Sequence, residues 1–281
     1  MKIGLIAGGG KLPYHVVEGA RAAGYALHVI AISGHAIPQD FTPEAQSFTI
    51  GEFGKISKAL KKAKCSHICF AGYVDRPDFR SLKPDFKGML RLPGVIKAAR
   101  SGDNSLLAYM LRLFEREGFD IISPQEVCQH LLMPEGHIGA VRMLSAHKAD
   151  AQKACEIATS IGALDIGQGA VVCRGLVLAV EAQEGTDAML RRVRGLSKDL
   201  LGTETQRDGI LAKMIKPGQD KRVDLPTLGV ETVRLAAKAG LAGIVTEGGG
   251  AFVIDKPAVI KAADNAGLFI AGLPPDTSNA S

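Results

Sequence analysis

The chain has 281 residues, 46% hydrophobic and 22% charged, which is enough to bury a sizeable core and to form two domains. Its net charge of +5 is mild, and no Lys/Arg block is interleaved with aromatics, so nucleic acid is not an expected partner; an anionic small molecule or an anionic membrane surface suits the excess. Five scattered cysteines (Cys65, Cys69, Cys128, Cys155, Cys173) read as reduced, mostly buried thiols, and no apolar run approaches a membrane span. The N-terminus runs into a strand without a signal-peptide pattern, which predicts a cytoplasmic protein whose membrane contact, if any, is peripheral.

In chain order, Lys2 to Ala7 reads as a buried strand, followed by the tight loop Gly8-Gly9-Gly10-Lys11-Leu12-Pro13. Pro13 opens a helix to about Ala23, stopped by Gly24. Strands are expected over Tyr25 to Ile32, Gln46 to Ile50 and His67 to Gly72, with an amphipathic, lysine-faced helix over Lys55 to Lys64. Alternating strands and helices predict a parallel sheet with helices on both faces. Residues 78 to 92 read as irregular and basic, a flap or a solvated connection. Asp103 is the expected N-cap of a helix to Glu117, whose Leu106, Leu107, Met110, Leu111 and Phe114 read first as core and second as a lipid groove. A strand over Phe119 to Ile122 and a short helix from Pro124 to about Leu132 close this half.

The first glycine loop can cradle an anion on backbone N–H groups, with Lys11 adding charge. It is not a dinucleotide fingerprint, because Pro13 stands at the third glycine and the second strand ends without an acidic residue. It is not a P-loop, because Leu12 follows the lysine. Gly72-Tyr73-Val74-Asp75-Arg76-Pro77 follows a strand at the edge where open sheets bind ligands, and Arg76 can fork onto phosphate; the plainer reading is a salt-bridged loop.

In the second half, residues 133 to 144 read as a linker and Ser145 to Ile161 as a helix. Ile166 to Cys173 and Leu176 to Glu181 read as a hairpin turned at Arg174-Gly175. Gln168 lies near the start of the first of these strands, and Thr186 can cap a helix carrying Arg191 and Arg192. Glu181, Glu184 and Asp187 gather where the second strand ends. Lys213 to Lys216 is an expected strand, Thr227 an expected cap for a helix to Ala239, Leu241 to Thr246 a strand, Lys256-Pro257 the start of a last helix, and Leu268 to Ala271 a last strand.

The stretch from Lys213 to Gly229 sets Asp220 and Asp224 among Lys213, Lys216, Lys221 and Arg222 on a segment broken by Pro217-Gly218 and Pro226. Irregular, rigid segments commonly carry functional groups. Two carboxylates about 4 Å apart repel by roughly 4 kcal/mol at an effective dielectric near 20, so convergence requires a cation, a proton or a basic side chain. A charged surface loop is the plainer reading.

Several of these pieces, in order along nearly the whole chain, resemble the LpxI-type UDP-2,3-diacylglucosamine diphosphatases of Gram-negative lipid A synthesis. They are Ile6 to Pro13, Gly72 to Pro77, Gly102-Asp103-Asn104-Ser105-Leu106-Leu107, Val180 to Asp187 and Gln219 to Gly229. The resemblance implies an α/β protein with a Rossmann-like N-terminal domain over 1–132, the linker 133–144, and a C-terminal catalytic α/β domain over 145–281 whose fold is particular to the family. It implies an active site in the interdomain cleft, a homodimer, and dependence on a divalent metal, Mg²⁺. The implied reaction is hydrolysis of UDP-2,3-diacylglucosamine to UMP and 2,3-diacylglucosamine 1-phosphate (lipid X), with water attacking the β-phosphorus, at the cytoplasmic face of the inner membrane.

By position in the matching motifs, Asp224 is the first candidate for metal ligand or water-orienting base. Asp220, Glu181, Glu184 and Asp187 are supporting metal ligands, and Lys213 joins Asp224 and Asp220 in the catalytic set. Gly9, Gly10, Lys11, Leu12, Gly72, Tyr73, Arg76, Asp103, Gln168, Thr186, Arg191 and Arg192 are expected to contact substrate. Two acyl chains need burial: roughly ten methylenes at about 0.8 kcal/mol each amount to ~8 kcal/mol, which predicts an apolar tunnel or groove, lined from the linker and the C-terminal half. The alternatives are a non-catalytic nucleotide-sugar or lipid carrier, which leaves the carboxylates unexplained, and a Rossmann-type oxidoreductase, against which the glycine spacing counts. A calcineurin-like phosphoesterase is disfavoured because no Gly-Asn-His occurs.

Overall fold

A computed structural model describes residues 1–75, 77–79, 81–203, 205–220, 222–223 and 225–274. The chain forms two compact units. The first comprises Met1–Gln129 with Asp220–Asp224, and the second His130–Gln219 with Leu225–Ser281.

The first unit contains β1 (Lys2–Ala7), α1 (Leu12–Ala22), β2 (Ala26–Ile32), β3 (Gln46–Phe48), α2 (Phe53–Lys62), β4 (His67–Ala71), α3 (Phe86–Arg100), α4 (Asp103–Arg116), β5 (Asp120–Ile121) and α5 (Pro124–Val127). The strands pair in the order β3-β2-β1-β4-β5, all parallel. This follows the doubly wound, Rossmann-like strand order, as expected. Central β1 is buried almost throughout because helices cover both of its faces. Ile6, Ile30, Ile32 and Ile68 face α2 and α4, where Phe114 meets Phe53 and Phe70 at ring distances of 4.9 and 5.5 Å. Alternate residues face the other way; there Cys69 interacts with Cys128, just after α5, and burial raises both thiols. All five cysteines are free, and Cys155 alone among them is not fully buried.

Three expectations change in this unit. Residues 86 to 92 are not irregular but open α3, with Asp85 as its cap accepting 2.7 Å from Gly88 N. Gly88, Pro93 and Gly94 hide its helical period. Gly94 has a packing cause, because a Cβ there would strike the Tyr109 hydroxyl of α4. Asp103 is the first residue of α4 rather than its cap; Gly102, at φ +120, takes that place. The helix at Pro124 ends by Val127, held by a capping box between Ser123 and Glu126.

The second unit contains β6 (Gly136–Ile138), α6 (Lys148–Ala163), β7 (Gly169–Cys173), β8 (Leu176–Val180), α7 (Gly185–Arg194), β9 (Ile210–Lys213), β10 (Thr227–Leu228), α8 (Val230–Lys238), β11 (Gly243–Glu247), β12 (Phe252–Val253), α9 (Lys256–Ala266) and β13 (Phe269–Leu273). Its main sheet runs β6-β13-β11-β9-β7-β8 and is mixed: β13, β11 and β9 are parallel, while β6, β7 and β8 pair antiparallel. Val171, Leu211, Ile244 and Ile270 pack with residues of α7, α8 and α9. Ala170, Ile210, Ala212 and Val245 pack on the alanine-rich face of α6, whose Ala151, Ala154 and Ala158 permit close approach.

The hairpin turn falls at Arg174-Gly175 as predicted, with φ of +50° and +74°. Buried Asp150 accepts from both turn N–H groups at 2.6 and 2.7 Å. Residues 133 to 144 are not a bare linker, because β6 lies within them and joins the sheet edge through Ile138, buried opposite Ile270. The strand expected over 213 to 216 lies earlier, at Ile210–Lys213, where it pairs with β11 on one side and β7 on the other. Thr227 caps no helix; it pairs with Phe252 in β10–β12, and α8 starts at Val230.

Candidate active site

Lys213 ends β9, and the register fixes its neighbours: Gly169 on β7 and Thr246 on β11 are its paired residues. Leu211, two residues earlier, points into the apolar core with Val171 and Ile244. Lys213 and Thr246 therefore extend that same face beyond the core. Gly169 brings no side chain, and the Glu181 carboxylate fills the space: a Cβ on Gly169 would lie 2.5 Å from Glu181 Oε2. Strand pairing thus sets Glu181, Lys213 and Thr246 together, at 6%, 7% and 2% exposure.

Thr186 Oγ1 donates to Glu181 Oε1 at 3.0 Å, and Lys213 Nζ donates to the Thr227 carbonyl at 2.9 Å. Glu181 Oε2, Thr246 Oγ1 and Gln168 Oε1 are buried without a hydrogen-bond partner. Gln168 immediately precedes Gly169 and accepts through its backbone carbonyl from Met214 N at 2.9 Å. An unsatisfied buried polar group costs roughly 1–3 kcal/mol, so the bare Glu181 Oε2 over Gly169 marks a place completed by something else. A carboxylate oxygen accepts, which suits water, a donor group or a hard cation.

The predicted residues Glu181, Thr186 and Lys213 lie along this row, Gln168 adjoins it in the backbone, and Thr246 was missed. Its signal was positional: a polar residue at the carboxyl end of a parallel strand beside the strand ending in Lys213. Asp187 accepts from Thr232 Oγ1 of α8 at 3.3 Å. Glu184 is exposed and bound to Arg192 at 2.9 Å, while Arg192 also donates to the Val180 carbonyl. Hydrogen bonding at its own turn and to Arg192 holds the Glu184 carboxyl below its usual range. Arg191 is exposed on α7.

In the first unit, Asp220 is held on both carboxylate oxygens by Arg222, which lowers its pKa, and Arg222 also reaches Glu115 of α4 at 3.1 Å. Asp224, Lys221 and Arg76 lie outside the described residues.

The glycine loop has a different cause from the expected anion cradle. Gly8 N donates to Ala71 O, and Gly9 and Tyr73 exchange backbone bonds at 2.7 and 3.1 Å. Two loops meet backbone to backbone, and a Cβ on Gly8 or Gly72 would strike the opposite chain. The Gly8 and Gly9 N–H groups are thus occupied. Beyond this contact, Gly10 turns at φ +86° and exposed Lys11 leads into Leu12, the first residue of α1. Tyr73 is 61% exposed, its ring over Gly9, and His35 packs edge-on at 6.2 Å. His35 Nε2 accepts from Asp75 N at 2.9 Å. Asp103 sits in the first turn of α4.

An apolar pocket lies in the first unit, whereas the acyl groove was expected along the linker and the second half. Leu82, Leu92, Val95, Leu106, Met110 and Leu113 are among its walls. On α4, Leu106 and Met110 line this pocket, while Leu111 and Phe114 are fully buried core.

Among the described residues no three His, Cys, Asp or Glu side chains gather as a metal cage. Magnesium does not require one, since it commonly keeps several waters and takes one or two carboxylates plus substrate phosphates. The orphaned Glu181 Oε2, buried over Gly169, is a hard-oxygen foothold of that kind.

A parallel sheet in one unit, a mixed sheet in the other and a buried acid–lysine patch at the strand ends define a two-unit α/β protein with a polar site on its second sheet. Residues 2–131 match the model of the LpxI N-terminal domain and residues 134–271 that of the LpxI C-terminal domain. The chain belongs to the LpxI family. It is 53% identical over 274 residues, 98% of each chain, to the UDP-2,3-diacylglucosamine pyrophosphatase LpxI of Caulobacter vibrioides. Among solved structures, the CobK precorrin-6A reductase is similar at 10% identity, covering 100% of this chain and 90% of its own, with a TM-score of 0.34. The UDP-glucose 4-epimerase of Thermus thermophilus in complex with NAD is similar at 15% identity, covering 99% and 88%, with a TM-score of 0.32. Those scores are too low to equate the folds.

Proposed function

We propose that this protein hydrolyses the pyrophosphate of UDP-2,3-diacylglucosamine to UMP and 2,3-diacylglucosamine 1-phosphate, a step of lipid A biosynthesis. The observation that carries the reading is identity of 53% over 98% of both chains with a relative that bears that activity in its name. The buried acid–lysine patch supplies chemistry that suits it. Lys213 stabilises negative charge developing on the phosphates, which a largely water-excluded position strengthens. Asp224, on the segment that follows, orients the attacking water and takes its proton.

Magnesium belongs to this reading; bound, it polarises phosphate oxygens. Glu181 would hold it through Oε2, with Thr186 fixing the other carboxylate oxygen. Thr246 stands on the other side of Lys213, and Gln168 adjoins the row in the backbone. Glu184 and Arg192 satisfy each other and take no part in the proposed step. Gly10, Lys11 and Tyr73 remain candidate contacts for the nucleotide phosphates, and Leu106 and Met110 for an acyl chain. A homodimer and peripheral contact with the cytoplasmic face of the inner membrane complete the reading. No helix among the described residues is long and apolar enough to cross a membrane.

The test is release of UMP and the acylated sugar 1-phosphate by wild type and Asp224→Ala, each with Mg²⁺ and with EDTA. Products from wild type with Mg²⁺ alone support the reading. Binding of the lipid without cleavage turns the reading to a carrier, and full activity in Asp224→Ala removes that residue from the site.

A further inference from the structure

The helices α2 and α3 are adjacent in the first unit and share an unusual charge pattern. α2 contains Lys55, Lys58, Lys61 and Lys62 and no carboxylate; α3 contains Lys87, Arg91, Lys97 and Arg100 and no carboxylate. Their starts are joined, since Lys55 N donates to Asp85 Oδ2 at 2.7 Å and Asp85 caps α3. Phe86, the first residue of α3, lies among Lys55, Lys58, Lys61 and Lys87 along an open surface concavity.

Three large apolar side chains stand out from this basic surface. Phe86 is 77% exposed, Met89 59% and Leu90 66%. Their i, i+3, i+4 spacing sets them on one side of the helix. Scattered exposed hydrophobics are normal, but a row on a helix rich in cations is the pattern of an element that lies in a lipid–water interface. The carboxylates facing the two helices do not cancel their charge. Glu117 bridges Lys61 and Lys87 at 2.7 and 3.0 Å, Glu52 holds Lys55, and Asp85 accepts backbone N–H groups. Among the described residues Lys58, Lys62 and Arg91 form no ion pair.

We propose that the α2–α3 face docks on an anionic lipid bilayer, with Phe86, Met89 and Leu90 entering the interface and the lysines of α2 lying over lipid phosphates. A second copy of the chain fits this face poorly, because a two-fold interface would set the same cations against themselves. Nucleic acid would meet the charge but leave the apolar row in water. The opposite side of α3 lines the apolar pocket through Leu92 and Val95, so docking brings that pocket close to the source of an acylated ligand. The inference rests on the proposed function only for why this protein should meet a bilayer; vesicle binding is measured without substrate, so the two can fail separately.

The chain has no tryptophan, so Phe86→Trp gives a reporter at one site. The full chain is mixed with vesicles of phosphatidylglycerol and phosphatidylethanolamine, and with phosphatidylcholine alone. A blue shift and co-flotation with the anionic vesicles only, reversed by salt, are expected. Lys58→Glu/Lys62→Glu should weaken that partitioning by at least about tenfold, as should Phe86→Ser/Met89→Ser/Leu90→Ser, without altering turnover of detergent-dispersed substrate. Equal flotation of wild type and both variants overturns the proposal. So does loss of self-association in the apolar variant with vesicle binding unchanged, or duplex DNA binding stronger than vesicle binding with no spectral shift.

Discussion

The Thr186 hydroxyl grips one oxygen of the Glu181 carboxylate across the turn from β8 into α7, and the other oxygen, buried against Gly169, has no partner. A carboxylate fixed at one end and bare at the other is set for a ligand. Glu181→Gln keeps the shape and removes the charge. Turnover should fall by at least about 10²-fold, while thermal stability stays level or rises because a buried charge is gone. Thr186→Val should cost about tenfold by releasing the carboxylate from its position. Steady-state kinetics with a melting curve for each variant checks both; a Glu181→Gln enzyme with wild-type turnover removes Glu181 from the chemistry.

Lys213 combines structure and chemistry. Lys213→Met should reduce turnover by about 10²-fold and also destabilise the fold by about 1–3 kcal/mol, since the Thr227 carbonyl loses its donor. Urea unfolding beside kinetics separates the two effects. A purely structural lysine would lose stability and keep its turnover per folded molecule.

Glu117 joins α2 to α3 through Ser57, Lys61 and Lys87. The Lys61 hydrogen bond is the main reason its carboxyl falls from 4.5 to about 2. A lowered carboxyl value adds stability that is complete above about 4.5 and disappears as pH falls through about 2. Glu117→Gln should therefore be less stable than wild type by about 1.5–3 kcal/mol at neutral pH, and the gap should close across that acid window. Denaturant titrations at stepped pH give the difference directly; a gap that does not change with pH rules out this linkage.

Asp150 is buried in α6, and its two oxygens accept the N–H groups of Arg174 and Gly175. Asp150→Ala should leave both donors unsatisfied in a turn whose positive φ is already demanding, costing about 2–4 kcal/mol. Asp150→Asn, which can satisfy only one of the two donors through its carbonyl oxygen, should fall between. Thermal melts of the three proteins test the order.

The loop contact between Gly9 and Tyr73 separates two kinds of glycine. Gly9→Ala meets the edge of an exposed Tyr73 ring that can swing away, and should fold. Gly72→Ala adopts φ +88° against the Gly9 carbonyl and should fold poorly. Equal soluble yield and equal melting temperature for the two variants would contradict this account.

Strand and helix periodicity made most of the fold legible. β1, β2 and β4 are short apolar runs ended by glycine or polar residues, and the Arg174-Gly175 hairpin announced itself by its turn residues. α3 was hidden because two glycines and a proline interrupt its pattern; Gly94 is there for Tyr109, a contact no local window contains. Of the site, Glu181, Thr186 and Lys213 carry side chains that suggest chemistry in any reading. Thr246 does not. Its place comes from strand order, with β11 beside β9, and that order is set by residues far apart in sequence.

β6 covers β13 along one edge of the second sheet. A recombinant fragment begun after Gly139 would therefore present β13 bare, a row of unpaired backbone groups open to the same strand in another molecule. Such a fragment should form concentration-dependent aggregates, whereas one that keeps Gly136 to Ile138 brings its own closing strand.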